Sequence, residues 1–315
     1  MIENNEKKVI CIVGPTASGK TALGIELAKK VNGEIISADS MQIYKNLNVG
    51  TAKVTEEEAD GIKHHIIDIC EVDEKFSVAD FKKMCYDKID KIISKGKFPI
   101  IVGGTGLYVS SVVDNMNFEE IKIDLEYRKY LENLVKEKGK DFLYDKLIEI
   151  DPKTANTIHK NNVKRVIRAL EIAKYSSKLK SIHMEEEEKR KRNLNGDYKF
   201  YLFCINIEKD TLYSRINNRV DIMIKDGLLK EAKKVYDMKL DSSCTCMQAI
   251  GYKEFFPYFK NEKNLEECIE KLKQETRKYA KRQMTWFNNK LNCININGME
   301  KRDDLVQKII EECCI

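Results

Sequence analysis

The stretch that most constrains this chain is Gly-Pro-Thr-Ala-Ser-Gly-Lys-Thr at positions 14–21. It follows an apolar run at 9–13 and opens a helical pattern at 21–31, which is the strand–loop–helix setting of a phosphate-binding loop. The glycines let backbone amides close around a phosphate, and the helix N-terminus adds N–H donors. We expect Lys20 to supply a charge and the Thr21 hydroxyl to bind Mg²⁺. The predicted diphosphate- or triphosphate-binding residues are Gly14, Pro15, Thr16, Ala17, Ser18, Gly19, Lys20 and Thr21.

Short apolar runs alternate with helical periods along most of the chain. Predicted strands lie at 9–13, 34–38, 66–70, 98–102, 200–207 and 293–297. Predicted helices lie at 21–31, 78–95, 209–225, 228–239, 246–259, 264–290 and 303–313. This alternation predicts an α/β fold, a phosphate-loop core in which helices flank a parallel sheet. Ligands bind beyond the carboxyl ends of such strands, so we expect the loop and the turns at 39–40 and 103–106 to meet at one edge.

The pattern changes between 117 and 199, where strand-like runs disappear. This segment predicts helices at 124–139, 142–150, 152–159 and 163–176. We interpret 117–199 as an inserted all-helical subdomain, and 1–116 with 200–315 as the catalytic core. The charged stretch at 185–192 is predicted to be a solvated helix face or a mobile loop.

Composition limits the class of protein only mildly. The 56 basic and 51 acidic residues give a net charge of +5, which does not by itself indicate a nucleic-acid partner. No apolar run approaches 18 residues and no signal-peptide core stands at the N-terminus, so we expect a cytoplasmic protein. The ten cysteines are scattered without zinc spacing, which predicts free thiols in a reducing compartment.

Polar residues follow the predicted strands at positions that suit chemistry. Asp39 has three interpretations: a turn former, an indirect partner of Mg²⁺, or a general base aimed at an acceptor. Gln42 offers both an amide donor and an acceptor, which suits reading a base edge. Thr105 is either a helix cap or a hydroxyl presented at the same edge of the sheet. Asp68 is a further candidate Mg²⁺ ligand, whereas the His64–His65 pair is interpreted as structural.

Basic residues recur on three predicted helices. Arg219 could clamp a leaving diphosphate, or it could be a surface residue paired with Asp221 or Asp226. Two further basic clusters could be solvated helix faces or a surface for a phosphate backbone. Their members are Lys164, Arg165 and Arg168 in one, and Lys273, Arg277, Lys278, Lys281 and Arg282 in the other.

Taken in order, these motifs resemble the bacterial tRNA isopentenyltransferase (tRNA dimethylallyltransferase) family, from about residue 8 to residue 290. The N-terminal half carries the loop motif, Asp-Ser-Met-Gln-Ile-Tyr at 39–44, Gly-Thr-Ala-Lys at 50–53, His-His-Ile-Ile-Asp at 64–68 and Gly-Gly-Thr-Gly-Leu-Tyr at 103–108. Further along stand Arg-Val-Ile-Arg-Ala-Leu-Glu at 165–171, Arg-Val-Asp-Ile-Met at 219–223, Gln-Ala-Ile-Gly-Tyr-Lys-Glu at 248–254 and Thr-Arg-Lys-Tyr-Ala-Lys-Arg-Gln-Met-Thr-Trp-Phe at 276–287.

The resemblance implies transfer of a dimethylallyl group from dimethylallyl diphosphate to N6 of the adenosine on the 3′ side of the anticodon, in tRNAs that read codons beginning with U. It implies Mg²⁺ as the cofactor, and an insertion that grips the anticodon stem-loop. Asp39 would accept the amine proton, Thr105 would help to hold the flipped base, and Arg219 would stabilise the leaving diphosphate. The implied tRNA contacts are Asp39, Ser40, Met41, Gln42, Thr105, Arg128, Lys164, Arg165, Val166, Ile167, Arg168, Arg277 and Lys281.

Three other functions stay open at this point. A kinase for a small metabolite would share the phosphate-binding loop, and an isopentenyltransferase acting on free adenine nucleotides would share the loop and Asp39. A non-catalytic nucleotide-dependent RNA-binding switch would need no base aimed at an acceptor. Nothing in the sequence indicates a dimer seam, so we expect a monomer.

Overall fold

The computed structural model describes residues 6–118, 124–176, 179–182, 184–185, 197–241 and 244–315. Within these ranges, six parallel strands form one sheet in the order β3-β2-β4-β1-β5-β6. The strands are β1 (Lys7–Val13), β2 (Gly33–Ser37), β3 (His64–His65), β4 (Phe98–Gly103), β5 (Tyr198–Asn206) and β6 (Ile294–Asn297). The predicted α/β fold with a parallel sheet is confirmed.

Twelve α-helices are described in the same ranges. They are α1 (Lys20–Lys30), α2 (Glu56–Ala59), α3 (Val78–Ile93), α4 (Gly106–Val113), α5 (Leu125–Ile150), α6 (Pro152–Thr157), α7 (Val163–Tyr175), α8 (Lys209–Lys225), α9 (Leu228–Asp237), α10 (Phe256–Phe259), α11 (Leu265–Lys290) and α12 (Arg302–Cys313). In the described part of the chain, no helix is both long and apolar enough to cross a membrane.

The centre of the sheet explains why its strands read as continuous apolar runs. β1 pairs with β4 on one side and β5 on the other, and residues 9–13 are completely buried. Successive side chains of a strand point to opposite faces, so Val9, Cys11 and Val13 enter one core cluster while Ile10 and Ile12 enter the other. Helices therefore cover both faces, and β1 leads its following loop to the carboxyl edge of the sheet.

The predicted third strand at 66–70 is wrong. The strand is instead the His pair just before it, and residue 70 forms an isolated bridge with Tyr44. Ile66 and Asp68 have φ of 60° and 54°, in the left-handed region that extended backbone cannot include.

The predicted helix at 246–259 is also replaced by shorter elements. Two 3-10 turns, Thr245–Gln248 and Lys253–Phe255, precede the single turn of α10. Gly251 has φ of +118°, which interrupts any helix at that point. By contrast, the predicted N-cap Ser77 is confirmed, because its side chain accepts a hydrogen bond from the Asp80 N–H in a capping box.

The chain divides into two compact units, here called the core unit (Met1–Val113 with Gly196–Ile315) and the helical unit (Asp114–Asn195). Within the helical unit, α5 and α7 enclose a cluster that includes Leu131, Leu147 and Leu170. Gly139, with φ of 86°, interrupts α5 where the sequence predicts a break between two helices. Of the predicted charged stretch at 185–192, residues 186–192 lie outside the described residues.

Candidate active site

A cavity of about 350 Å³ lies within the core unit, beyond the carboxyl ends of β1, β2 and β4. Its wall includes Lys20 from the loop after β1, Asp39 from the turn after β2, and Gly103 at the end of β4. The expected meeting of these segments is confirmed. The helices α8 and α11 close the cavity from the other side through Arg219 and Tyr279.

The loop after β1 has the backbone form that its sequence predicts. Gly19, the N-cap of α1, has φ of 88°, and Ala17 has φ of 63°. Thr16, Lys20 and Thr21 line the cavity, while the other residues of 14–21 form the turn that carries them. The N–H groups at the start of α1 and the ammonium of Lys20 are therefore available to an anion in this cavity.

The cavity brings two cations together without an acidic partner for either. Burial, and after it the charge of Arg219, lower the pKa of Lys20 from 10.5 to about 8, against the opposing effect of Asp39. Burial also lowers the pKa of Arg219, and the charge of Asp39 opposes that shift. Among the described residues, no carboxylate lies within salt-bridge distance of either cation. Two half-buried, unpaired cations in one cavity are a site for a polyanion.

The structure does not support the alternative that Arg219 is a surface residue paired with Asp221. Asp221, one of its two candidate partners, instead lies 2.8 Å from the Lys273 ammonium. The neighbouring Arg215 donates to the sulfur of Met299 at 3.5 Å. Arg219 is thus directed into the cavity while Arg215, one turn earlier on α8, is directed away from it.

Asp39 forms its own turn and also faces the cavity. Its Oδ1 accepts hydrogen bonds from the Met41 N–H at 2.9 Å and the Gln42 N–H at 3.3 Å. Within the described part of the chain, no hydrogen bond reaches its Oδ2. The turn-forming role and a role in proton transfer are therefore compatible, because they use different oxygens.

The Thr105 hydroxyl bonds to the Asp39 turn. Its Oγ1 accepts from the Ser40 N–H at 3.0 Å and donates to the Ser40 Oγ at 3.3 Å. Ser40 lines the cavity wall, and Thr105 stands behind it. Thr105 occupies the N-cap position of α4, because its carbonyl accepts from the Tyr108 and Val109 N–H groups. Its hydroxyl instead joins two turns that follow different strands.

The amide of Gln42 is largely occupied within the protein. Its Oε1 accepts from the Ser37 hydroxyl at 3.1 Å, and its Nε2 donates to the Thr51 and Ala52 carbonyls at 3.3 Å each. Gln42 and Met41 both line the cavity. The geometry gives Gln42 the role of holding residues 51–52 at the wall, with one lone pair of Oε1 left for a ligand.

Sequence reasoning missed three residues of the cavity, Tyr279, Gln283 and Glu254. Burial and the nearby Asp39 charge raise the pKa of the Tyr279 phenol, and burial raises the pKa of the Glu254 carboxyl. The overlooked signal is a stripe with helical spacing on α11. Its members on the cavity wall are Leu272, Glu275, Thr276, Tyr279, Arg282 and Gln283.

The predicted basic cluster on α11 is partly used inside the core unit. Arg277 donates to the Asn217 side chain at 2.6 Å, and Lys278 pairs with Glu275 at 3.0 Å. Lys281 is exposed. Of the two α11 residues predicted to contact tRNA, Lys281 is the one whose side chain is open to a partner.

The predicted tRNA contacts of the helical unit have three different environments. Arg128 binds both oxygens of the buried Glu171, at 2.6 and 2.8 Å, and Arg168 reaches the same carboxylate at 3.4 Å. Val166 and Ile167 are core residues, only 1% and 5% exposed, so their side chains pack inside the helical unit and are not open to a substrate. The exposed members of the cluster are Lys164 and Arg165.

The remaining candidates lie away from the cavity. Asp68 pairs with the buried ammonium of Lys53 at 2.5 Å, which gives its carboxylate a structural partner. His65 lies 2.7 Å from the Glu34 carboxylate, and His64 lies 2.9 Å from the Ile62 carbonyl. All ten cysteines are free thiols. In the described ranges, no group of three His, Cys, Asp or Glu side chains could hold a metal ion.

Comparison with known proteins identifies the family. The model of a family described as IPP transferase matches residues 42–290. The chain belongs to the IPP transferase family. It is 52% identical over 303 residues to a tRNA dimethylallyltransferase of Acetivibrio thermocellus, covering 96% of this chain and 95% of the relative. It is 48% identical over 290 residues to a Bacillus subtilis protein of the same name, covering 92% of this chain and 90% of the relative.

Solved structures give the same assignment. A tRNA isopentenylpyrophosphate transferase from Bacillus halodurans is 44% identical with a TM-score of 0.72, covering 98% of this chain and 96% of that one. A eukaryotic dimethylallyltransferase acting on tRNA is 32% identical with a TM-score of 0.82, and the match covers 96% of this chain and 77% of that one. The IPP transferase match begins at residue 42, so it does not include the loop after β1 or Asp39.

Proposed function

We propose that this IPP transferase moves the dimethylallyl group of dimethylallyl diphosphate to N6 of the adenosine on the 3′ side of the anticodon, in tRNAs that read codons beginning with U. The products are N6-isopentenyladenosine and diphosphate. The observation that carries this proposal is the pair Lys20 and Arg219, two cations without a carboxylate partner that face a cavity also lined by Asp39.

The leaving group accounts for the two cations. In this transfer the C–O bond at the allylic carbon breaks, and its electron pair leaves with the diphosphate. Lys20, Arg219 and the N–H groups of the loop stabilise the charge that grows on the departing oxygen. Groups held in place before the reaction stabilise a developing charge without reorganising, which makes this contribution large.

The acceptor accounts for Asp39. An exocyclic amine is a poor nucleophile because its lone pair is delocalised into the ring, so removing its proton as the new C–N bond forms assists the reaction. The base must leave its stack to reach a cavity, and a loop nucleotide is easier to extrude than one in a duplex. Asp39 Oδ2 receives the proton, and Thr105 acts by holding Ser40 beside it.

The donor set of the cavity also fits Mg²⁺. The Thr21 hydroxyl stands at the start of α1 on the cavity wall beside Lys20, and Mg²⁺ in such sites is held mainly by substrate phosphate oxygens and water. We propose Thr21 as the protein ligand. When bound, the ion neutralises part of the diphosphate charge.

The helical unit supplies the RNA contact in this proposal. Lys164 and Arg165 are exposed on α7, and the charges of Arg165 and Arg168, after burial, lower the pKa of the neighbouring Lys180. Such a concentration of positive charge suits the phosphate backbone of an anticodon stem-loop. We also propose a cytoplasmic location, because tRNA is the acceptor, and a monomer, because nothing in the sequence indicates a dimer seam.

A label-transfer assay tests the proposal. Protein with Mg²⁺ and labelled dimethylallyl diphosphate receives, in separate tubes, an unmodified anticodon stem-loop or AMP. We expect label in the stem-loop and none after Asp39→Ala. Label entering AMP alone would assign the chain to the free-nucleotide class, and tight ATP binding without any transfer would indicate a kinase.

A further inference from the structure

One buried amide connects the two sides of the cavity. Gln283 lies on α11 and is 5% exposed. Its Oε1 accepts a hydrogen bond from the Thr16 N–H at 2.9 Å, and its Nε2 donates to the Gly104 carbonyl at 2.9 Å. Thr16 belongs to the loop after β1 and Gly104 to the turn after β4, so a single side chain spans two segments that are far apart in sequence.

The glycines of the turn allow α11 to approach this closely. A Cβ atom on Gly104 would lie 2.2 Å from Gln283 Nε2, and one on Gly106 would lie 2.3 Å from Trp286 Cδ1. Trp286 also donates from Nε1 to the Ser110 hydroxyl at 3.0 Å. The turn is therefore seated directly against α11, and the length of the Gln283 amide sets its distance from the loop.

The same turn is also bonded to the turn that carries the proposed base, Asp39. Thr105, the residue after Gly104, bonds to both the backbone and the hydroxyl of Ser40, which follows Asp39. Hydrogen bonds thus link Thr16 to Gln283 and Gln283 to Gly104, and the next residue in the chain, Thr105, bonds to Ser40 in the Asp39 turn. Thr16 lines the cavity, but its N–H already donates to Gln283.

We propose that Gln283 is a positioning residue that sets the separation between the diphosphate-binding loop and the Asp39 turn. This inference rests on the proposed function, because the two segments hold the leaving group and accept the proton. Misplacement of reacting groups by about 1 Å can cost ~10²-fold in rate while each substrate still meets its own binding residues.

The first test separates turnover from binding. Gln283→Leu keeps the approximate size of the side chain and removes both hydrogen bonds. We expect kcat to fall ~30-fold or more, because alignment is lost. The KM values for dimethylallyl diphosphate and for the stem-loop should stay within about threefold, because neither substrate loses a binding group. A kcat within about twofold of the wild type, or a raised KM with unchanged kcat, would overturn the proposal.

The second test uses a carboxyl group in place of the amide. In Gln283→Glu, a protonated carboxyl can accept from Thr16 and donate to Gly104 as the amide does, whereas a carboxylate facing the Gly104 carbonyl cannot donate. Burial raises the pKa of such a carboxyl. The ratio of variant to wild-type kcat should therefore rise as the pH is lowered through that pKa. The same ratio for Gln283→Leu should stay flat, and a flat ratio for both variants would contradict the inference.

A second variant on the same helix serves as the control for a loss of stability. Cys268 is 1% exposed on α11 and does not line the cavity, so Cys268→Ala lowers stability without touching either turn. We expect it to keep the wild-type kcat at a comparable loss of thermal stability. If Gln283→Leu does not fold, the pH series of Gln283→Glu decides alone. An inactive wild type in the same assay would overturn both the proposed function and this inference, whereas an active wild type with an equally active Gln283→Leu would overturn the inference alone.

Discussion

The two units of this IPP transferase organise positive charge in opposite ways. In the core unit, Lys20 and Arg219 face a cavity without a carboxylate partner, and burial lowers the pKa of both. In the helical unit, Glu171 holds Arg128 in a bidentate pair and raises its pKa. Half-buried cations without a carboxylate partner cost folding free energy, so their persistence indicates a site completed by an anionic ligand. A cation that is already paired with a carboxylate needs no such ligand.

The largest effect is expected at Asp39, the proposed proton acceptor, which lines the same cavity as the two cations. Asp39→Asn keeps an oxygen that can accept from the Met41 and Gln42 N–H groups, so the turn should survive. It removes the proton acceptor, and we expect kcat to fall ~10³-fold with unchanged thermal unfolding. Retained turnover in a folded Asp39→Asn would show that the cations act without a base.

Arg219→Gln should reduce kcat ~10²-fold, because one of the two charges on the leaving diphosphate is lost. The apo protein should be no less stable in thermal unfolding, since the change removes a desolvated cation that has no partner. Arg215→Gln, one turn earlier on the same helix and directed toward Met299, is the matched control and should keep its activity. Equal losses in both variants would refute the assignment of Arg219.

Arg128→Gln, unlike Arg219→Gln, should lower the stability of the protein. Among the described residues it leaves the Glu171 carboxylate, 3% exposed, with only the longer contact to Arg168, so the free energy of unfolding should fall by about 2 kcal/mol. Denaturant unfolding measures this loss. The matched control is Lys160→Gln, since its pair with Asp141 is exposed and should contribute nothing measurable. A stable Arg128→Gln would remove the contrast between the two units.

The exposed cations of the helical unit are expected to act on RNA affinity alone. The double change Lys164→Gln with Arg165→Gln should weaken stem-loop binding ~10-fold. It should also reduce the slope of log K against log salt by about 1.5, because about two phosphate contacts are lost. The KM for dimethylallyl diphosphate should not change. A salt slope equal to that of the wild type would exclude these residues from the contact.

The smallest expected effect is a pH dependence. The pKa of Lys20 is lowered to about 8, so its charge is present below that pH and is lost as the pH rises through it. We expect kcat/KM for dimethylallyl diphosphate to fall a few-fold above about pH 8. Lys20→Arg keeps its charge and should not show this fall. An identical pH profile for both proteins would contradict the shift.

The sequence predicts local features of this fold well because they depend on near neighbours. The loop at 14–21, the buried β1 and the capped start of α3 each follow from residue type and spacing. The third strand is mispredicted, because apolar residues at 66–70 favour a strand while the backbone turns left-handed at Ile66 and Asp68. Tertiary packing overrides propensity at such positions.

The site is predictable only in part, for a related reason. Lys20, Asp39 and Arg219 belong to motifs, and the structure places all three at one cavity. Gln283 meets Thr16 across 267 residues of sequence, and no local pattern indicates such a contact. Thr105 is similar, because its partner Ser40 belongs to the turn after a different strand.

Whether the two units bind different substrates through their cations is tested directly by calorimetric binding of inorganic diphosphate and, separately, of an anticodon stem-loop. The wild type, Arg219→Gln and the Lys164→Gln/Arg165→Gln protein are compared at one salt concentration. We expect Arg219→Gln to lose diphosphate affinity and keep stem-loop affinity, and the double variant to do the reverse. If either variant loses both affinities equally in a folded protein, the division of charge between the two units is wrong.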